Sequence, residues 1–358
     1  MVFMNTKIAI VITELNEHEL LRNNILYHRY LGVKEFIIFA DDPKDGSLES
    51  IKDIPGITTL PSIHPDNLPP ELRVHPKMAK IIKQYSSHHC ARQMINSMYA
   101  YIWASNIGCD WLLSMDTDEF ICPNLNDIKP NAIADLFNCQ PQKVETLLFR
   151  PLEIIPSSCA SRTVFNRDLL FLNEFIPVKK GFKSLRRIQR YFSDPILGKK
   201  HAHKGYLGHV DARSAIRLKL DIVPCSTHYF IAASGAKLVQ REIGWSLHFY
   251  CYSFEDFLKK FKNFRTLPDQ WVSGAAIEWP YGMFRDMVNG GNMNIDDLRR
   301  YYETYMVPNA KNIDEWTAAF PGAVVSVSTV RKVFERIAAT MLPCLILTVN
   351  CILAFIKH

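Results

Sequence analysis

Residues 110–120 read DWLLSMDTDEF, an apolar run that passes directly into three carboxylates, Asp116, Asp118 and Glu119. The segment Asp110–Met115 has the pattern of a strand that is buried on both faces of a sheet. Charge is costly to place beside a core, so these acids need a partner of opposite charge. Alternate residues of an extended strand project to the same side. We therefore expect Asp116 and Asp118 to point at one place.

The segments around this strand alternate between strand and helix patterns. Asn16 starts the first helix pattern, with Glu19 as its capping-box partner, and Gly32 ends it. The other patterns are strands at Lys7–Thr13 (KIAIVIT), Glu35–Ala40 (EFIIFA), Thr58–Leu60 and Thr146–Arg150, and a long helix at Ser86–Ile107. This order predicts an open α/β sheet with parallel strands. Ligands of such sheets bind beyond the carboxyl ends of the strands, where the acids of residues 41–45 and 116–119 both fall.

Two carboxylates with open coordination positions suit Mg²⁺ or Mn²⁺ that also holds substrate phosphates. A calcium-binding EF-hand loop would need an oxygen ligand and a glycine where Phe120 and Ile121 stand. A phosphatase of the D-x-D-x-T type would need threonine in place of Phe120. The remaining structural alternative is that the acids cap the next helix or pair with basic neighbours.

Composition and charge are those of a globular protein, with 48% hydrophobic and 22% charged residues. The net charge of +6 is uneven, because residues 179–219 hold twelve Lys or Arg and two acids, a net +10. This basic block, which includes Lys183, Arg186 and Arg187, indicates an anionic ligand or an acidic lipid surface, or else a solvated face. Nine cysteines without zinc-site spacing fit reduced thiols in the cytosol.

The segment 337–356 contains no charged residue over a length of 20 residues. A helix of that length spans about 30 Å, the thickness of the hydrocarbon core of a bilayer. The start of the chain has the pattern of a first strand rather than of a signal peptide. We therefore expect association with the cytoplasmic side of a membrane through 337–356. The alternative is a buried C-terminal helix in a cytoplasmic protein.

Three stretches together resemble the family-2-like glycosyltransferases of the GT-A fold. They are TELNEHELLRNNILYHRYLGVKEFIIFADDPKDGS (13–47), GCDWLLSMDTDEFI (108–121) and WSLHFYCYSFEDFLKKFKNF (245–264). The motif D-W-x-x-x-D-x-D-E-F is that of a subgroup related to the family-92 type. The resemblance implies a GT-A-type, Rossmann-like open sheet with flanking helices over residues 1–264. Short helix patterns then predict a helical C-terminal extension at 265–330, followed by the apolar tail at 331–358.

The resemblance also implies roles for individual residues. Asp118 would bind Mn²⁺ or Mg²⁺ at the donor diphosphate, Asp116 would contact the ribose or the metal, and His248 would complete the metal site. The residues placed at the nucleotide-sugar are Thr13, Glu17, Asp41 and Arg92. Direct inversion at the sugar needs a carboxylate base. The clear Glu-Asp pair of the family is missing, and Asp211 and Glu242 are the best candidates.

These observations predict a metal-dependent, inverting glycosyltransferase. Its partners would be a UDP- or GDP-sugar donor and a glycan or lipid-linked acceptor, with no nucleic acid. A developing charge on the leaving diphosphate is what a metal and nearby basic groups stabilise. Two alternatives stay open: a nucleotide-sugar-binding protein that lacks a working base, and a phosphoryl-transfer enzyme.

Overall fold

The computed structural model describes residues 6–126, 128–157, 161–173, 211–277, 279–319 and 321–340. Most of the basic block, from 179 to 210, lies outside the described residues, and so does the apolar segment from 341 onward. Within the described ranges, no helix combines the length and the apolar character needed to cross a bilayer.

A mixed ten-stranded sheet forms the centre of the molecule, in the order β12-β7-β6-β8-β4-β1-β2-β3, with β11 between β6 and β5. Its strands are β1 Ile8–Glu14, β2 Glu35–Ala40, β3 Ile57–Pro61, β4 Trp111–Ser114, β5 Glu119–Cys122, β6 Thr146–Ile154, β7 Leu169–Leu172, β8 Arg213–Arg217, β11 Gln240–His248 and β12 Val324–Val327. The short strands β9 Ile222–Pro224 and β10 Phe230–Ala232 form a separate pair.

The strands β1 to β4 run parallel, as the sequence predicts. Their carboxyl ends therefore meet at one edge of the sheet. The second half departs from an all-parallel sheet, because β8 runs antiparallel to both β4 and β6. The strand β11 is parallel to β6 and antiparallel to β5, which brings its carboxyl end to the same edge.

Helices cover both faces of the sheet. They are α1 His18–Tyr30, α2 Pro70–Val74, α3 Pro76–Ile82, α4 His89–Asn106, α5 Ala132–Asn138, α6 Phe254–Asn263, α7 Trp279–Asn289, α8 Ile295–Tyr301 and α9 Ala310–Ala319, and residues 329–340 are also helical. Alternate residues of β1 enter different cores: Ile10 packs on the side of α1, and Val11 on the side of α4. Burial on both faces explains why β1 is continuously apolar.

The start of α1 differs from the prediction. Asn16 does not open the helix, because its backbone has a φ of 56° and the helix begins at His18. The Asn16 side chain instead accepts a hydrogen bond from the Lys44 amide and donates one to Asn263. Tertiary contacts therefore override the local capping pattern here. The predicted end is confirmed, since Gly32 has a φ of 98° directly after the helix.

The C-terminal region is helical, as predicted, and it packs on α6 through an aromatic cluster that includes Phe257, Phe284 and Tyr302. The chain then returns to the main sheet, where β12 pairs with β7. Val330 and Val333 are fully buried in the core beside α1. Thr329, Val330 and Val333 thus belong to the core, and residue 331, where the predicted tail starts, lies between them in the chain.

Candidate active site

The acidic motif forms a turn between β4 and β5. Residues 117 and 118 form a turn, and the prediction that Asp116 and Asp118 point at one place is wrong, because Asp116 pairs with Arg213 and Asp118 pairs with Lys260. The turn closes on itself: the Glu119 amide donates to the Asp116 carbonyl at 3.2 Å, and the Asp116 amide donates to the Glu119 carboxylate at 3.1 Å. The two aspartates therefore face different partners at the carboxyl edge of the sheet.

Asp118 lies at the centre of a buried ionic cluster. Its carboxylate is 2.6 Å from the Lys260 ammonium and 3.4 Å from Nε2 of His248. The other ring nitrogen, Nδ1 of His248, is 2.8 Å from the carboxylate of Glu153. The strand register produces this row, because His248 at the end of β11 lies beside Glu153 on β6. We refer to Asp118, His248, Glu153 and Lys260 as the Asp118 cluster.

Asp118, His248 and Lys260 of the Asp118 cluster are ionised at neutral pH. Burial would raise the pKa of Asp118, but Lys260 and His248 hold it well below its usual range. Burial lowers the pKa of His248, yet Glu153 and Asp118 outweigh this and raise it to about 10. Asp118 likewise outweighs the effect of burial on Lys260 and raises its pKa. Each buried charge thus has a partner of opposite sign, as buried charges require.

The metal ligands predicted from the sequence are only partly brought together. No group of three or more His, Cys, Asp or Glu side chains is close enough to hold a metal among the described residues. Asp118 and His248, however, are 3.4 Å apart. That is the separation of neighbouring ligands on one cation with bonds of about 2.1 Å. Glu153 behind His248 completes the carboxylate–histidine pair typical of metal-binding histidines. These residues fit two positions of a divalent cation.

Asp116 belongs to a second ion pair, with Arg213 of β8. The Arg213 guanidinium has a side-chain exposure of 1% and contacts the carboxylates of both Asp116 and Glu119. Gln93 of α4 donates to the other oxygen of Asp116. The Asp116 side chain still has an exposure of 37%, so it is open to solvent at the carboxyl edge of the sheet, the expected ligand site that we refer to as the cleft. Sequence analysis missed Arg213 and Gln93, because a contact between distant strands and helices leaves no local pattern.

Asp41 and Arg92, both predicted at the nucleotide-sugar, contact each other. The Arg92 guanidinium donates to the Asp41 carboxylate at 2.6 and 2.8 Å, and His89 contacts the same carboxylate at 2.5 Å. Burial would raise the pKa of Asp41, but His89 and Arg92 lower it below its usual range. Arg92 also donates to the Tyr85 carbonyl. Its guanidinium is thus directed at Asp41 and the backbone.

Thr13 lies in the same network at the ends of β1 to β3. The amide of Asn96 donates to the hydroxyl of Thr13 and to that of Ser62, each at 3.1 Å. Ser62 in turn donates to Asp41 at 2.8 Å. Thr13, Asp41 and Arg92 therefore belong to one hydrogen-bond network, joined through Asn96 of α4.

Glu17 lies where α1 meets α6. Its carboxylate is 2.5 Å from the ammonium of Lys259, which also pairs with Asp256 at 3.0 Å. Burial raises the pKa of Glu17 to about 8, although Lys259 opposes this shift. This pair fixes the start of α1 to the helix that carries Lys260.

The two candidates for the catalytic base lie in different places. Glu242 pairs with Arg150 on the surface. It is six residues before His248 on β11, which is about 20 Å along a strand. Asp211 is exposed and precedes Arg213, the partner of Asp116, by two residues. Only Asp211 is near the acidic turn.

The acidic turn is held in place by two buried side chains of α1. Asn24 donates to the carbonyls of Thr117 and Glu119 at 2.9 and 2.7 Å. The Ile121 amide donates to Nε2 of His28 at 3.0 Å, so the ring proton is on Nδ1 and points at Asn24. Burial lowers the pKa of His28 to about 4, so the ring is neutral. This network connects α1 physically to the D-x-D-E-F motif at residues 116–120.

Comparisons with known sequences find a curated protein that is similar in sequence to this chain. No protein-family model matches it. It is similar to a glycosyltransferase-like protein of Arabidopsis thaliana, with 24% identity over 218 residues. The alignment covers 57% of this chain and 44% of the relative, so the chain spans less than half of the length of the relative that it matches.

Solved structures give weaker likenesses. Glucosyl-3-phosphoglycerate synthase from Mycobacterium tuberculosis, in complex with phosphoglyceric acid, matches 72% of this chain and 80% of its own at 11% identity, with a TM-score of 0.30. Its complex with Mn²⁺, UDP and glucosyl-3-phosphoglycerate gives the same coverage and TM-score at 10% identity. A cytidylyltransferase from Leptospira borgpetersenii matches 41% of this chain and 54% of its own, at 13% identity and a TM-score of 0.23. Overlaps this low carry no argument about the function of the chain.

Proposed function

We propose that this protein is a metal-dependent glycosyltransferase that moves a sugar from a UDP- or GDP-sugar to a glycan or lipid-linked acceptor. The observation that carries the proposal is the pairing of Asp118 with His248, backed by Glu153, at the carboxyl edge of the sheet. Ligands of open α/β sheets bind at this edge. The similarity to a glycosyltransferase-like plant protein supports the same reaction class.

The chemistry follows from what leaves the sugar. Departure of a nucleoside diphosphate builds negative charge on a phosphate oxygen, and a divalent cation stabilises that charge when bound. Asp118 and His248 would hold Mn²⁺ or Mg²⁺, with the cation taking the place of the proton on Nε2 of His248. Glu153 would keep His248 in the orientation that presents Nε2. Asp116, which is partly exposed, would contact the ribose.

Thr13, Asp41 and Glu17 would hold the nucleoside. Thr13 and Asp41 belong to one hydrogen-bond network, and Glu17 lies where α1 meets α6. We assign Arg92 a positioning role, because its guanidinium holds Asp41. This differs from the direct contact with the nucleotide-sugar that the resemblance implies.

An inverting displacement needs a carboxylate that accepts the proton of the acceptor hydroxyl. We propose Asp211 for this role, because it precedes the Arg213–Asp116 pair by two residues and is exposed. Glu242 is not proposed, since it pairs with Arg150 far along β11. Exposure of Asp211 leaves room for an acceptor beside it.

The acceptor class and the location of the protein are proposed together. The basic block and the apolar segment 337–356 would place the cleft at the cytoplasmic surface of a membrane, where lipid-linked acceptors lie. A glycan acceptor at the same surface would use the same cleft.

The function is tested by incubating the protein with UDP- and GDP-sugars and Mn²⁺, and by measuring donor hydrolysis and transfer. Asp118→Asn should reduce turnover by at least about 100-fold, the effect of losing a group that stabilises the transition state. Asp110→Asn is the matched control, because Asp110 is exposed at the opposite end of β4. Wild-type turnover by Asp118→Asn would contradict the proposal. Donor binding without any turnover would instead favour an inactive nucleotide-sugar-binding protein.

A further inference from the structure

Lys260 is in direct contact with the proposed metal ligand. Its ammonium is 2.6 Å from Oδ2 of Asp118, the same oxygen that lies 3.4 Å from Nε2 of His248. Both side chains are largely buried, with exposures of 15% for Lys260 and 8% for Asp118. The ammonium therefore stands in the coordination space that a cation bound to Asp118 and His248 would need.

A metal ion and this ammonium exclude each other. A cation at about 2.1 Å from Oδ2 leaves no room for Nζ at hydrogen-bond distance on the same side of the oxygen. Two positive charges a few ångströms apart also repel each other strongly in a buried site, where water does not screen them. Metal binding thus requires Lys260 to withdraw from Asp118.

Lys260 has a second partner close by. Its ammonium already lies 4.4 Å from the centre of the Tyr250 ring, and its four-carbon side chain is flexible. A nucleoside diphosphate at the cleft brings negative oxygens that attract both the cation and the ammonium. The neighbouring Lys259 is bound to Glu17 and Asp256, so Lys259 and Lys260 have separate partners.

We propose that Lys260 is a resident counter-ion that keeps Asp118 from binding a metal ion until a nucleoside diphosphate arrives, so that metal and nucleotide enter together. This inference rests on the proposed function and deepens it. The protein alone would bind Mn²⁺ weakly, and UDP or GDP would strengthen Mn²⁺ binding by giving Lys260 another partner. Lys260 would then contact the diphosphate.

The test is a titration of Mn²⁺ followed by electron paramagnetic resonance, with and without UDP or GDP. Lys260→Met should bind Mn²⁺ alone at least tenfold more tightly than the wild type and should lose most of the enhancement by nucleotide. Lys260→Arg keeps the charge and should bind Mn²⁺ alone as weakly as the wild type. Lys262→Met is the control, because Lys262 is an exposed lysine of the same helix.

A second measurement reports on folding and on the metal together. The unfolding temperature of Lys260→Met should rise with Mn²⁺ alone, whereas that of the wild type should rise only with Mn²⁺ and nucleotide together. Equal or weaker Mn²⁺ binding by folded Lys260→Met would overturn the counter-ion role and leave the transferase proposal standing. Absence of Mn²⁺ binding in every variant, even with UDP or GDP, would overturn both.

Discussion

At the scale of single residues, the acidic turn is stable because each of its carboxylates contacts a basic side chain. Arg213 contacts Asp116 and Glu119, whereas Lys260 and His248 contact Asp118. Glu119 is fully buried, so its charge depends on Arg213. The fork shape of a guanidinium allows one residue to contact two carboxylates, which an ammonium does poorly.

Replacing Arg213 by methionine should therefore destabilise the protein. The loss should be about 3–5 kcal/mol in the free energy of unfolding, because a buried carboxylate is left without its partner. Urea denaturation measures the change. Arg217→Met on the same strand is the control: Arg217 donates to the carbonyls of Val144 and Pro141, and its loss should cost about 1 kcal/mol. Equal losses in the two variants would contradict the role of Arg213.

The sequence predicts the place of these acids but not their directions. An apolar strand followed by D-x-D correctly locates Asp116 and Asp118 at the carboxyl edge of the sheet. Their divergence depends on the turn at 115–118 and on Arg213, which is 97 residues away from Asp116. Contacts of that range are set by tertiary packing, and no local pattern reports them.

At the scale of elements, the helix α1 holds the acidic turn in place through side-chain hydrogen bonds that we refer to as the clamp. Asn24 and His28 lie one turn apart on its buried face, and together they satisfy three backbone groups of residues 117–121. The His28 ring can accept from the Ile121 amide only while Nε2 is unprotonated. Stability of this clamp is therefore linked to pH.

The free energy of unfolding should fall as the pH drops from 6.5 towards 4. The pKa of His28 is about 4 in the folded protein and about 6.5 when unfolded, so the unfolded chain binds the extra proton. This linkage amounts to about 3 kcal/mol. Between pH 7 and pH 4, the free energy of unfolding of His28→Gln, measured by urea denaturation, should fall by about 3 kcal/mol less than that of the wild type.

The control for this measurement is His64→Gln, since His64 is an exposed histidine on a loop. It should keep the wild-type pH dependence. Groups such as Asp41 titrate in all three proteins and cancel in the comparison. Parallel pH curves for the wild type and His28→Gln would contradict the assignment of a buried neutral His28.

Some element boundaries were predictable and some were not. Ser253 caps α6 as the S-x-x-D pattern indicates, because its side chain accepts from the Asp256 amide at 3.2 Å. Asn16 carries a similar pattern at α1 but is used for contacts with Lys44 and Asn263. A cap pattern holds where no distant residue competes for the same side chain.

At the scale of the whole molecule, one half of the sheet can be predicted from sequence patterns and the other half cannot. The parallel half is predicted because each strand and helix has its own periodicity. The half built from β6, β8 and β11 joins strands that are distant along the chain, and its mixed directions follow from packing. The region after residue 265 contributes β12 and Val333 to the same fold.

Truncation separates the fold from the apolar segment. A chain ending at residue 340 keeps β12 and the buried Val330 and Val333, and it should unfold cooperatively near the wild-type temperature by circular dichroism. A chain ending at residue 264 loses them and exposes the aromatic face of α6, so it should not fold.

In membrane fractionation, the full chain should sediment with membranes and the chain ending at 340 should not. Equal distribution would contradict membrane association through 337–356.

The metal site at Asp118 and His248 is tested most directly by diffraction from crystals soaked with Mn²⁺ and UDP, with data collected for the anomalous scattering of manganese. We expect a manganese peak bonded to Asp118 and Nε2 of His248, with the UDP diphosphate on its open side and Lys260 withdrawn from Asp118. Bound UDP without manganese at Asp118, and with the Lys260–Asp118 pair intact, would contradict it.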